Sequence, residues 1–147
     1  TKFVIGDGPQ RNELESKYPD AVFLGYKKGI DLAEHVSDAD VFVFPSKTDT
    51  FGLVMLEALA CGVPVAAYPV PGPKDVILSD QIGHLNEDLG TAVTLALKKD
   101  RNACREYALR YSWESCARLF ESHLEVFGPE ALSKSSPATI TPIEGMS

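Results

Sequence analysis

Two carboxylates eight positions apart, Asp49 and Glu57, frame a glycine turn in the stretch FPSKTDTFGLVMLEALACGVPVAAYPVPG, residues 44–72. Thr50, Phe51, Gly52 and Leu53 stand at the start of a helix-patterned segment. The first four N–H groups of a helix have no partner inside it, and its dipole favours negative charge there. Gly52 puts no side chain in the way of an approaching phosphate. Ionised carboxylates only accept hydrogen bonds, so Asp49 before the helix and Glu57 about one and a half turns inside it would take theirs from hydroxyls. A molecule with hydroxyls on both sides of a diphosphate fits that arrangement, and a nucleotide sugar is such a molecule. Helix capping by Asp49 or Thr50 is the competing role. Glu57 stands among Leu53, Val54, Met55, Leu56, Ala58, Leu59 and Ala60. Burying a carboxylate without partners costs several kcal/mol, so Glu57 is expected to meet either a structural donor or a polar ligand, and the ligand is the favoured reading.

Two further loops could border a ligand. In GDGPQ, residues 6–10, glycines let the backbone approach a ligand and the following helix offers free N–H groups. The motif lacks a third glycine, because Asn12 and Glu13 follow, and a plain tight turn capped by Asp7 accounts for it equally well. In GYKK, residues 25–28, Tyr26 offers a stacking face and the backbone could read the edge of a base; taken alone, an exposed turn is the simpler account. The histidines, His35 in an amphipathic helix, His84 in a loop and His123 on the last helix, read as surface or packing residues. Cys61, Cys104 and Cys116 read as small buried hydrophobes. They are odd in number and lack C-x-x-C spacing, which indicates neither a disulfide framework nor a zinc site and suits a reducing cytosol. No metal-ligand cluster is visible.

The elements that must position these residues alternate. Strands are expected at Phe3–Ile5, Ala21–Leu24, Val41–Phe44 and Pro64–Ala67, with helices at Gln10–Lys17, Asp31–Ser37 and Gly52–Ala60 between them. Such alternation gives an α/β fold, a Rossmann-like open parallel sheet with helices on both faces. The run VFVF, residues 41–44, is apolar throughout, as for a strand covered on both sides. Ligands of such sheets bind beyond the carboxyl ends of the strands, where all three loops lie. Helices are expected over 88–97, 101–109 and 113–127, the last capped by Ser112. One partial domain, 1–127, is expected, followed by a disordered tail over 128–147 that is rich in Ser, Thr and Pro.

The chain has 147 residues, 44% hydrophobic and 24% charged, enough for about one domain. A formal charge of −7 with scattered Lys and Arg argues against nucleic acid as a partner. No apolar run approaches the ~20 residues that span a bilayer, which leaves only peripheral membrane contact. Thr1 leads at once into a strand and a glycine turn, so the chain is expected to begin inside a larger fold, without its first strand–helix unit.

The stretch 44–67, with VIGDGP, FLGY, GPKDVI and YSWESCARLF in order, closely resembles the signature of retaining GT-B fold glycosyltransferases, the group that includes glycogen-synthase-like enzymes and bacterial mannosyl- and glucosyltransferases. The resemblance covers residues 2–127. It implies that Glu57 binds the ribose hydroxyls and Asp49 the hydroxyls of the donor sugar, these two being the catalytic pair. Phe51, Gly52 and Leu53 would offer backbone N–H groups to the sugar and diphosphate, with Val54 packing nearby. Gly25, Tyr26 and Lys27 would line the base pocket, and Gly6 and Gly8 the diphosphate side. The family usually has Glu at the position of Asp49, which leaves the donor sugar open. Its diphosphate-clamping Arg and Lys, and its N-terminal acceptor domain, would precede Thr1, so this chain alone is expected to be inactive. The implied reaction is metal-independent transfer, with retention and without a cofactor, from a nucleoside diphosphate sugar to a hydroxyl of a lipid, glycan or small molecule. The implied location is cytoplasmic, with any peripheral contact at the inner membrane face made through the missing domain. Competing readings are a nucleotide-sugar epimerase on the same fold and a non-catalytic nucleotide-binding regulatory module.

Overall fold

The computed structural model of the chain describes residues 1–48 and 52–122. It divides into two compact units, Thr1–Ala39 and a second that starts at Asp40. In the first, β1 (Lys2–Ile5), α1 (Arg11–Lys17), β2 (Ala21–Gly25) and α2 (Gly29–Ser37) follow in order. Its strands pair in parallel from Lys2 opposite Ala21 to Ile5 opposite Gly25, with an irregularity between Val4 and Ile5. A parallel pair needs a crossover, and α1 supplies it. The amides that open α1 carry Glu13 in the first turn and its carbonyl end carries Lys17, the signs that the helix dipole favours.

The second unit contains β3 (Phe42–Phe44), α3 (Leu53–Ala60), β4 (Val65–Ala67), α4 (Pro73–Val76), β5 (Gly83–Leu85), α5 (Leu89–Ala96), α6 (Arg101–Ala108) and α7 (Trp113–Ser122). Its sheet runs β3-β4-β5, all parallel. Val65, Ala66 and Ala67 of the middle strand are fully buried. Ala66 packs on Ala92 and Ala96 of α5. Side chains alternate along a strand, so Val65 and Ala67 face the other way, toward the layer in which α3 packs on β3 and β4 and α6 packs on α3. Helices thus cover both faces, as expected. The helix starts carry side-chain caps: Asp88 accepts from the Thr91 amide at 3.1 Å, Asp100 from that of Asn102 at 2.7 Å, and Ser112 from that of Ser115 at 3.0 Å.

The strands pair in two parallel sheets, one in each unit. Several expectations are corrected. The strand covered on both faces is β4 and not VFVF; β3 has one neighbour in its sheet, and Val43 stays 40% exposed. His84 lies on β5, paired in register with Ala66, and not in a loop. Both β5 and α4 go beyond the expected elements, because runs this short carry no periodicity. Their formation comes from neighbours: β4 supplies the pairing for β5, and Gly72 with Pro73 at the first helical position starts α4. The helix expected over 113–127 is described as far as Ser122; its remainder, His123 and the tail over 128–147 lie outside the described residues.

Candidate functional site

In the second unit the site residues gather on α3. Gly52 is its N-cap, in the left-handed region at φ 71°, a conformation in which a Cβ is strained. A Cβ at Gly52 would also run into the Met55 methyl, the tip of a fully buried side chain. The turn therefore requires glycine twice over. The Met55 amide turns back to the Gly52 carbonyl at 2.9 Å, which leaves Leu53 and Val54 with the leading N–H groups that a helix cannot satisfy internally.

Glu57 is exposed, which corrects the expectation that it is buried. The reason is the helical period. Met55, Ala58 and Leu59 form the inward stripe of α3, and Leu53, Val54 and Glu57 share the opposite face. Leu53 is 60% and Val54 43% exposed. Glu57 thus needs no structural donor, and it shares an open face with two of the other predicted site residues, beyond the carboxyl end of β3. Asp49 and Phe51 lie outside the described residues.

Two residues of this unit go beyond the sequence reading. Lys47, on the loop after β3, holds its Nζ 4.6 Å over the ring of Tyr68, the residue after β4. This is cation–π distance. It ties together the loops that leave two adjacent parallel strands, where open α/β sheets bind ligands. No sequence pattern announces this pair, because it depends on Phe44 and Ala67 lying opposite each other.

In the first unit the backbone amide of Gly6 donates to the Gly25 carbonyl at 2.8 Å, with both glycines at positive φ, 138° and 72°. A cleft of about 280 Å³ opens here, lined by Gly6, Gly8, Gln10, Arg11 and Phe23 among others. Asp7 accepts from the Gly8 amide at 2.8 Å, so it caps its own turn. Tyr26 is 72% exposed, and Lys27 is ion-paired with Asp31 of α2 at 3.0 Å. Sequence reasoning missed Arg11, although its spacing of four from both Asp7 and Glu15 was a visible signal.

The remaining titratable groups read as structural. Asp80 meets Lys99 at 2.8 Å and His84 at 3.1 Å. Hydrogen bonds from Lys99, then His84, hold its carboxyl below the usual range. His35 is tied to Asp31. Cys104 is buried, and burial pushes its thiol up to about 11. Cys61 is half-buried where full burial was expected; burial raises its thiol too, with Arg105 opposing. The Cys116 side chain is outside the description. Among the described residues no group of three or more His, Cys, Asp or Glu could hold a metal ion, and no described helix is long and apolar enough to cross a membrane.

The family described as glycosyl transferases group 1 matches residues 2–98, a span that contains Gly6, Gly25, Gly52 and Glu57. The chain belongs to the group 1 glycosyltransferases. This glycosyltransferase segment is 37% identical over 128 residues to a sulfoquinovosyl transferase of Arabidopsis thaliana, covering 76% of this chain and 25% of that protein. It is 34% identical over 139 residues to a GDP-mannose-dependent alpha-mannosyltransferase of Mycolicibacterium smegmatis, covering 88% of this chain and 37% of that one. Among solved structures, sucrose-phosphate synthase from Thermosynechococcus elongatus superposes with a TM-score of 0.67 at 26% identity, over 82% of this chain and 36% of its own. A lipopolysaccharide outer core galactosyltransferase reaches 0.69 at 16% identity, over 82% and 39%. The parallel-sheet α/β architecture expected from the motifs thus matches part of GT-B glycosyltransferase structures, over 82% of this chain. It spans between a quarter and two-fifths of the length of these relatives.

Proposed function

We propose that the segment is the donor-binding part of a retaining glycosyltransferase, which moves a sugar from a nucleoside diphosphate sugar to an acceptor hydroxyl. The observation that carries the reading is α3: a helix with Gly52 as its cap and Leu53, Val54 and Glu57 on one open face, at the carboxyl end of a parallel strand. In this reading the Leu53 and Val54 amides meet the diphosphate, Glu57 accepts from the ribose hydroxyls, and Asp49 from the donor sugar. For Gly6, Gly8, Gly25, Tyr26 and Lys27 of the first unit, a donor-binding role rests on their motifs alone.

Negative charge builds on the diphosphate as the sugar leaves. Fixed amide dipoles at a helix start stabilise such charge without reorganising, which is the largest contribution in many enzymes. The buried Cys104 and the hydrogen-bonded His35 and His84 are poor nucleophiles, so positioning and electrostatics carry the work; the proposal includes neither a metal nor a resident cofactor. Further cations on the diphosphate and the acceptor site are assigned to other parts of the protein, so the segment alone is inactive. The reading places the enzyme in the cytoplasm, touching a membrane at most peripherally. The named relatives use different sugars, so the supported donor class is nucleoside diphosphate sugars as a whole.

Incubation of the full-length protein with UDP- and GDP-linked sugars, followed by NMR of the product's anomeric proton, tests the proposal. Transfer with retained configuration is expected. Glu57→Gln should lower kcat/KM by about 10- to 100-fold, the worth of a hydrogen bond to a charged group. Inverted product, or turnover indifferent to Glu57, defeats it.

A further inference from the structure

We propose that Arg11 is a positioning residue, which locks the Gly6–Gly8 loop and the Gly25–Lys27 loop into the one arrangement a donor nucleotide meets; this rests on the function proposed above. Arg11 opens α1, yet its guanidinium holds three elements at once. Nε donates to Glu15 Oε1 at 2.8 Å within α1, and Nη1 lies 3.6 Å from Asp7 Oδ2 in the loop after β1. Nη2 donates to the Phe23 carbonyl of β2 at 3.4 Å. A guanidinium spreads its five N–H donors over three nitrogens in a rigid plane and reaches these separated acceptors together, whereas a lysine ammonium concentrates its three donors on one compact nitrogen.

Gly25 is the counterpart of this arrangement. A Cβ there would sit 2.9 Å from Arg11 Nη1, at a backbone φ of 72°. The Gly25 carbonyl in turn takes the Gly6 amide at 2.8 Å. A side chain at Gly25 would therefore press on the Arg11 guanidinium while the Gly6 amide holds the Gly25 carbonyl, so the proposed lock joins the two loops beside the cleft through this packing. With Asp7 and Glu15 against it, Arg11 acts through shape and not as an unpaired cation offered to a phosphate. The ion pairs are half-exposed, with side-chain exposures of 32% for Arg11, 58% for Asp7 and 40% for Glu15. Such pairs add little to global stability, so the role is local.

The test uses the full-length protein with Arg11→Lys, Arg11→Gln and Gly25→Ala, read by amide hydrogen exchange over residues 6–8 and 25–28 and by titration with UDP and GDP. Both Arg11 variants should speed exchange at both loops to a similar degree. They should weaken nucleotide binding by about three- to tenfold, the worth of one or two hydrogen bonds, and raise the donor KM while leaving kcat close to wild type. Gly25→Ala should give the same loop exchange, and the double variant Arg11→Gln/Gly25→Ala should be no worse than either single. Glu15→Gln, which removes one anchor and keeps the arginine, should show the same pattern more weakly even where an Arg11 variant folds poorly. Wild-type exchange and affinity in Arg11→Lys overturn the proposal, since charge alone would then suffice. Faster loop exchange in a protein whose wild type binds neither nucleotide supports the loop lock and overturns the donor-binding reading.

Discussion

Replacing Gly52 by alanine should loosen the start of α3 and with it the proposed diphosphate site. Two costs combine. Holding a residue with a Cβ in the left-handed region costs about 1–2 kcal/mol. The new methyl also lands on the Met55 methyl, whose side chain is fully buried, and such overpacking costs about 1–3 kcal/mol. The flexible thioether can swing aside, which favours the lower end. The sum is about 2–5 kcal/mol. Native-state hydrogen exchange in the full-length protein reads it locally, through the opening free energies of the Ala58 and Leu59 amides. Gly52→Ala/Met55→Leu, which withdraws the colliding methyl, should recover the overpacking part and leave the backbone part. A change below about 0.5 kcal/mol in Gly52→Ala, the range of an indifferent surface substitution, would refute the reasoning.

Gly83→Ala should be disruptive as well, because its Cβ would lie 2.5 Å from the Val65 carbonyl oxygen, a backbone atom of the paired strand. A cost of about 2–4 kcal/mol should appear as faster exchange of β5 amides, and an unchanged strand would contradict the packing described. Asp80→Asn probes the Lys99–Asp80–His84 cluster. The Asp80 carboxyl titrates lower in the folded protein, so its contribution is complete above the unfolded value of about 3.9 and disappears as pH falls through the folded one. The gap in melting temperature between wild type and variant should thus be present at neutral pH and close in acid; a gap that persists in acid would count against the linkage. The gap should be small, since the side chain is 77% exposed.

The parallel α/β frame was legible in the sequence wherever apolar runs and helical periods were long enough to compete. Strands β1, β2, β3 and β4 and helices α1, α3, α5 and α6 fall within a residue or so of their expected ends. The short β5 was not legible, because Gly83–Leu85 becomes a strand only through β4. Glu57 was misread for a related reason. The segment 53–60 is apolar on nearly every residue, which suggests burial all round, but only the Met55, Ala58 and Leu59 stripe is covered. The Gly52 turn was legible because glycine at a helix start has a definite use. The Arg11 lock and the Lys47–Tyr68 contact were not read, since each depends on which loops the strand register brings together.

Calorimetric titration of the full-length protein with UDP and GDP, in wild type and Glu57→Ala, tests the central claim most directly. The account predicts saturable binding of one of the two nucleotides, weakened about tenfold or more by Glu57→Ala through the lost charged hydrogen bond to the ribose. Equal affinity in the two proteins, or no saturable binding of either nucleotide by the wild type, would contradict it.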